Sequence, residues 1–191
     1  MNRTASRKLV FSTLFAALIS VCAFICVPIP ASPVPIVLQN MMAVMSGLLL
    51  GSIWGGVSVA IFLIAGALGF PVFSGGGGGL ARFASPTGGF LIGYLIAAIV
   101  SGMFFAWSDK KGCDIVGVKG FAVCLASSFC GFTLIYVPGI WHFMRVMGKS
   151  FSQSIAICLI PYVIPDMIKM FLAAFVSFKV RPAVRGLMSR E

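Results

Sequence analysis

Acidic residues are almost missing from this chain: there are four Asp and Glu in 191 residues, and one histidine. So few carboxylates leave no pair for glycosidase-type acid and base work, and a lone imidazole cannot build an H-E-x-x-H metal helix. No G-x-S-x-G elbow is present either, and no nucleophile and base pair is visible, so the chain is read as a non-enzyme. Charge of any sign is scarce, at 9% of residues where an average soluble domain carries roughly 25%. Six cysteines occur without a C-x-x-C pair. Cys22, Cys26, Cys124, Cys130 and Cys158 fall in apolar stretches, and Cys113 falls in a polar loop, so they read as small packing residues. A metal site on Cys22 and Cys26 would lack partners, since His142 is expected in a distant loop. No cofactor is implied.

Phosphate loops are missing too. Gly148-Lys149-Ser150 looks like the end of one, but that motif needs a glycine at position 143, where Phe143 stands. Gly76-x-Gly78-x-x-Ala81 fits a dinucleotide fingerprint only formally, because no strand precedes it. Any ATP-driven work must therefore be done in another polypeptide.

What the chain has is apolar length. Hydrophobic residues make up 60% of it and the mean hydropathy is +1.08. A chain this apolar cannot cover a core with polar surface, so lipid is its solvent, and disorder or a disulfide-built secreted module is excluded. A spanning helix needs about 20 apolar residues. The sequence divides into six such helices, at 9–27, 36–54, 55–70, 88–107, 120–137 and 151–178, forming one all-α membrane domain. The first is followed by the cluster Pro28, Pro30, Pro33 and Pro35, which cannot continue a helix. That cluster is a poor cleavage site, and the run from Leu9 exceeds a signal peptide's usual ~7–15 apolar residues, so the span is expected to be retained.

Fourteen Lys and Arg give a net charge of +10, which at first suggests nucleic acid. Their placement gives another account. With both termini in the cytoplasm, Arg3, Arg7, Lys8, Lys110, Lys111, Lys119, Lys179, Arg181, Arg185 and Arg190 lie inside. Arg82, Arg145 and Lys149 lie outside. That asymmetry obeys the positive-inside rule and needs no nucleic acid.

Small residues recur at every fourth position: Ser12, Ala16 and Ser20; Gly47, Gly51 and Gly55; Gly89 and Gly93. Such stripes let helix backbones approach closely in lipid. The glycine stripes predict internal packing. The stripe of span 1 fits either packing or a face for a partner protein.

Asp166 is the one acid inside a span, and Lys169 follows a helical turn later, with Tyr162 a turn before. A charge at mid-membrane costs about 2.5–3.5 kcal/mol on insertion scales, so something must compensate it. A mutual ion pair is one answer. A polar cavity is the other, and Pro161 and Pro165 favour it by freeing backbone carbonyls where a helix lines protein or a cavity. Gln39 and Asn40 occur near the outer end of span 2 and Arg82 lies in the glycine-rich loop, so a pocket opening outward could collect Gln39, Arg82, Asp166 and Lys169. Such a site suits a ligand with a carboxylate at one end, paired with Lys169 or Arg82. Its other end would carry N–H donors, met by Asp166 and Gln39. The run Gly75 to Gly79 reads as a loop letting backbone approach a ligand, or as a plain connector.

Five segments together resemble the BioY family, the biotin-binding S components of energy-coupling-factor (ECF) transporters. They are 14–18 (LFAAL), 33–39 (PVPIVLQ), 69–73 (GFPVF), 85–93 (SPTGGFLIG) and 160–169 (IPYVIPDMIK). The resemblance implies a six-helix S-component bundle in the bacterial plasma membrane that takes up biotin. It implies partners: a transmembrane coupling protein of the EcfT or BioN type and a pair of cytoplasmic ABC-type ATPases. It also implies a substrate-binding set of Gln39, Gly78, Arg82, Thr87, Tyr162, Asp166 and Lys169. By similarity, Ser12, Ala16 and Ser20 form the face for the coupling protein, with serines where the family has alanines. A self-sufficient secondary transporter using Asp166 as a proton site is the alternative.

Overall fold

The computed structural model describes residues 3–30, 32–110 and 117–189. Lys111, Cys113, Asp114, Arg190 and Glu191 lie outside the described residues. Helix α1 (Arg3–Val21) ends earlier than position 27, because the chain turns into an antiparallel hairpin of β1 (Cys26–Ile29) and β2 (Ser32–Val37). Cys26 pairs with Val37 and Ile29 with Ser32. A two-stranded sheet has two free edges, so four prolines in and beside it cost few ladder bonds.

Spans 2 and 3 form one helical stretch, α2 (Gln39–Ala67), broken at Gly51 (φ 85°, ψ 174°). The boundary expected at Trp54 is therefore three residues earlier, at a glycine whose positive φ no β-carbon opposes. The two arms, 39–50 and 52–67, fold back on each other. A Cβ placed on Gly55 would lie 2.6 Å from the Gly47 Cα, and Ser46 Oγ donates to the Gly55 carbonyl at 3.3 Å. In a straight helix residues eight apart sit about 12 Å apart.

A 3₁₀ turn (Ser74–Gly76) and the short α3 (Ala81–Ala84) lead into α4 (Gly88–Lys110). Helix α5 (Gly117–Met147) runs on through Pro138, so Trp141, His142 and Arg145 are helical rather than in a loop. His142 Nε2 lies 3.1 Å from the Ser85 carbonyl, tying α5 to the segment before α4. Span 6 is divided into α6 (Phe151–Cys158), a 3₁₀ turn (Ile160–Tyr162) and α7 (Val163–Ser189).

The glycines of the stripes pack the bundle, except Gly51, which makes the turn and has nothing within 4 Å of where a Cβ would stand. A Cβ on Gly47 would meet the Ala98 carbonyl at 2.1 Å, one on Gly93 the Ile135 carbonyl at 2.7 Å, and one on Gly89 the Pro138 carbonyl at 2.4 Å. The stripe of α1 is also used inside. Ser12 and Ala16 are buried, and Ser12 Oγ donates to the Trp54 carbonyl at 3.0 Å. Ser20 is half-buried and its hydroxyl bonds back to the Ala16 carbonyl. The hydroxyls at 12 and 20 find acceptors within the protein, while α1 turns Val10, Leu14 and Val21 outward. Outward apolar side chains recur on the other helices, as at Ile53, Ile64, Phe129 and Ile164, which suits a molecule solvated by lipid.

The starts of α1 (Thr4, Lys8), the Gly51 turn and the end of α7 (Arg181, Arg185) line one cavity, so they share one end of the bundle. The hairpin, Gln39, the glycine-rich loop and Thr87 gather around a different pocket.

Candidate functional site

The interruption of span 6 creates the site. Leu159 caps α6 (φ −116°, ψ −52°), Pro161 follows in the 3₁₀ turn, and a new helix begins at Val163. Pro165 falls in its first turn, where a missing N–H costs nothing. Asp166 falls there too, so the carboxylate faces the positive end of a helix that starts inside the membrane.

Asp166 and Lys169 are both buried, at 6% and 5% exposure, and their side chains pair at 2.5 Å. Two charges at this depth need more than each other. Lys169 Nζ also donates to the Val37 carbonyl and to Asn40 Oδ1, both at 3.1 Å. Asn40 Nδ2 donates to Asp166 Oδ1 at 3.3 Å, and the Tyr136 hydroxyl donates to Asp166 Oδ2. An ammonium has three protons, and these three acceptors use them all. Asp166 has one accepting position left on Oδ2, since each carboxylate oxygen takes two bonds. Asp166 and Lys169 are therefore an ion pair that also lines a pocket.

The free cavity between these side chains is about 50 Å³, well below the roughly 300–1,000 Å³ of ordinary small-molecule sites, so a ligand would have to part the lining. Val34, Phe73, Phe90, Leu91 and Ile135 give it apolar walls. Phe73 is held edge-on by Phe62 (5.4 Å) and Phe83 (5.6 Å). Of the seven expected substrate-binding residues, Gln39, Arg82, Thr87, Tyr162, Asp166 and Lys169 come together here. Gly78 stands outside this lining. Its bare Cα instead admits the carbonyls of Phe70 and Gly69, which a Cβ would meet at 2.4 and 2.7 Å.

Their bonding states differ. Gln39 spends its amide N–H groups on the Val72 (2.9 Å) and Ile19 (3.4 Å) carbonyls, fastening the loop and α1 to α2. The Tyr162 hydroxyl donates to the Val34 carbonyl, holding the hairpin over the pocket. Thr87 shares a hydrogen bond with Ser85 at 2.9 Å. The Arg82 guanidinium lies along Gly77, so close that a Cβ there would meet Nε at 2.3 Å. Among the described residues no acceptor engages it. With Lys169 saturated, Arg82 is the cation of this lining without an acceptor among the described residues.

Sequence reasoning passed over Tyr94, Tyr136 and, as a site member, Asn40. A usable signal existed: the chain has only three tyrosines, and all three line the pocket. A phenol in an apolar span needs a partner for its hydroxyl, which marks a polar interior.

Comparison with known proteins follows the same line. The chain matches the BioY family over residues 1–186. It is 33% identical over 175 residues to the biotin transporter BioY of Thermotoga maritima, covering 92% of this chain and 96% of that one. It is 36% identical over 175 residues to the biotin transporter BioY of Rhizobium etli, covering 91% and 92%. Among solved structures it resembles the S-component for biotin from an ECF-type ABC transporter. The TM-score is 0.84 at 28% identity, over 95% of this chain and 94% of that one.

Proposed function

Because this chain belongs to the BioY family, we propose that it is the S component of an ECF-type biotin uptake system, a multi-pass protein of the bacterial cell membrane with no catalytic chemistry of its own. The observation that carries this reading is the pocket's polarity: a buried carboxylate with one accepting position left, and an unengaged guanidinium elsewhere in the same lining. Biotin has a ureido ring with two N–H groups and a carbonyl at one end and a carboxylate at the other. One ureido N–H would bond Asp166 Oδ2. The Tyr94 hydroxyl, which has no partner among the described residues, would donate to the ureido carbonyl. Arg82 would hold the carboxylate. The rings and valeryl chain would lie against Phe73, Phe90 and Ile135. Gly78, outside the lining, would act by holding the loop in place.

The direction of capture follows from charge. The end of the bundle carrying Lys8, Arg181 and Arg185 would face the cytoplasm, which puts the pocket toward the outside. No nucleotide-binding motif exists in the chain, so release inward would draw on ATPase subunits through a membrane coupling protein. The exposed face of α1 with Val10, Thr13, Leu14 and Ala17 would serve as the docking surface in place of the stripe Ser12, Ala16 and Ser20.

Calorimetric titration of the purified protein with biotin and with other carboxylate-bearing vitamins tests the substrate. One-to-one saturation by biotin alone is expected, and no binding would overturn the assignment. Uptake that collapses with the proton gradient while ATP remains would show a secondary transporter instead.

A further inference from the structure

A second cavity adjoins the binding pocket. It is bounded by the hairpin (Cys26, Pro28, Ser32, Pro33) and by the turn before α4 (Ser85, Pro86), none of which reaches the inner pocket. Four residues line both spaces: Pro35, Ser74, Arg82 and Thr87. Arg82 therefore stands at the boundary, with the Asp166 cluster on one side and the outer cavity on the other. The outer space is mostly apolar in its lining, with three serine hydroxyls in it. It holds the hydroxyls of Ser32, Ser74 and Ser85, and the last two lie on either side of Arg82 in sequence.

If the ureido ring sits at Asp166 and the carboxylate at Arg82, the carboxyl end of the ligand points toward this second cavity. Its carbon is then the one position where the ligand can grow without meeting the walls of the inner pocket. An amide there keeps a carbonyl oxygen for the guanidinium to donate to, while its nitrogen carries any substituent outward. A substituent with its own carboxylate would return an anion to Arg82 from the outer side, and an ammonium would find serine hydroxyls. Resting on the biotin reading above, we propose that the outer cavity is a subsite for amide conjugates of the ligand, with the biotinyl amino acids, such as Nε-biotinyl-lysine, as the substrate class it admits.

The test compares three probes on the purified full-length protein by calorimetry: biotin, biotinamide and Nε-biotinyl-lysine. Biotinamide lacks the charge and has no extension, so it sets the baseline. Nε-biotinyl-lysine is expected to bind within about tenfold of biotin and at least about fivefold tighter than biotinamide, each tenfold being about 1.4 kcal/mol. Pro33→Trp places an indole on the exposed rim of the outer cavity, away from the inner pocket. It should remove the advantage over biotinamide while leaving biotin affinity unchanged. Pro28→Trp serves the same purpose from the other strand, and unchanged biotin binding shows that either variant is folded. If biotin binds but Nε-biotinyl-lysine is excluded, or is no tighter than biotinamide, the subsite is refuted and the biotin reading stands. An unchanged advantage in both folded variants also refutes it. If biotin itself does not bind, the underlying reading falls and the subsite with it.

Discussion

Replacing Asp166 by asparagine keeps the shape of the side chain and removes its charge, which strands Lys169 at 5% exposure with two neutral acceptors. Breaking one side of a buried ion pair costs about 3–5 kcal/mol. The amide oxygen of the substituted side chain would still accept from Tyr136, so the lower end applies, about 3 kcal/mol. For a chain of this size that lowers the thermal midpoint by roughly 6–12 °C, at about 2–4 °C per kcal/mol. Adding Lys169→Met removes the stranded ammonium. It also takes a donor from the Val37 carbonyl, at about 1–3 kcal/mol for a buried orphan, while Asn40 Oδ1 keeps the Met41 N–H at 2.9 Å. The double variant should therefore be no less stable than Asp166→Asn alone, and far more stable than the two single losses added together. Intrinsic tryptophan fluorescence of the purified proteins during heating measures all three. Losses that simply add would refute the closed pair. Biotin titrations of the same proteins separate structure from function. Folded Asp166→Asn should lose roughly tenfold or more in affinity, about 1.5–3 kcal/mol for a bond to a charged acceptor. Wild-type affinity there would remove Asp166 from the pocket.

Arg82→Gln should weaken biotin by roughly tenfold or more while leaving biotin methyl ester nearly unchanged, since a charge-assisted bond is worth about 1.5–3 kcal/mol; equal losses for both in calorimetry would take Arg82 off the carboxylate. Gly47→Val should abolish the folded monomer on size-exclusion chromatography, because even a Cβ would stand 2.1 Å from the Ala98 carbonyl; a normal elution profile would contradict the helix contact. Ala17→Trp, on the exposed face of α1, should leave biotin binding intact and stop energised uptake in cells; unchanged uptake would move the docking face elsewhere. Tyr136→Phe should lower biotin affinity less than Asp166→Asn does, because it frees an accepting position while removing a donor that holds the carboxylate; an effect as large would make Tyr136 the principal contact.

The scarcity of acids, the six apolar stretches and the placement of fourteen basic residues were enough to assign a membrane bundle and to single out Asp166 and Lys169. Those features are local: lipid selects for apolar length, and an ionisable group in a span is conspicuous wherever the chain goes. Span edges were less legible. The helix continues through Pro138 and breaks at Gly51 rather than at Trp54 because tertiary contacts, here the Gly47 and Gly55 backbones pressed together, override local signals. Which face of α1 is buried could not be read either, since serine and alanine serve an inner contact and an outer one equally well. The division of labour in the pocket lay further out of reach. Whether Lys169 or Arg82 holds a carboxylate depends on who else bonds them. Val37 and Asn40 precede Lys169 by 132 and 129 residues, and only the folded bundle brings them, with Asp166, to one ammonium.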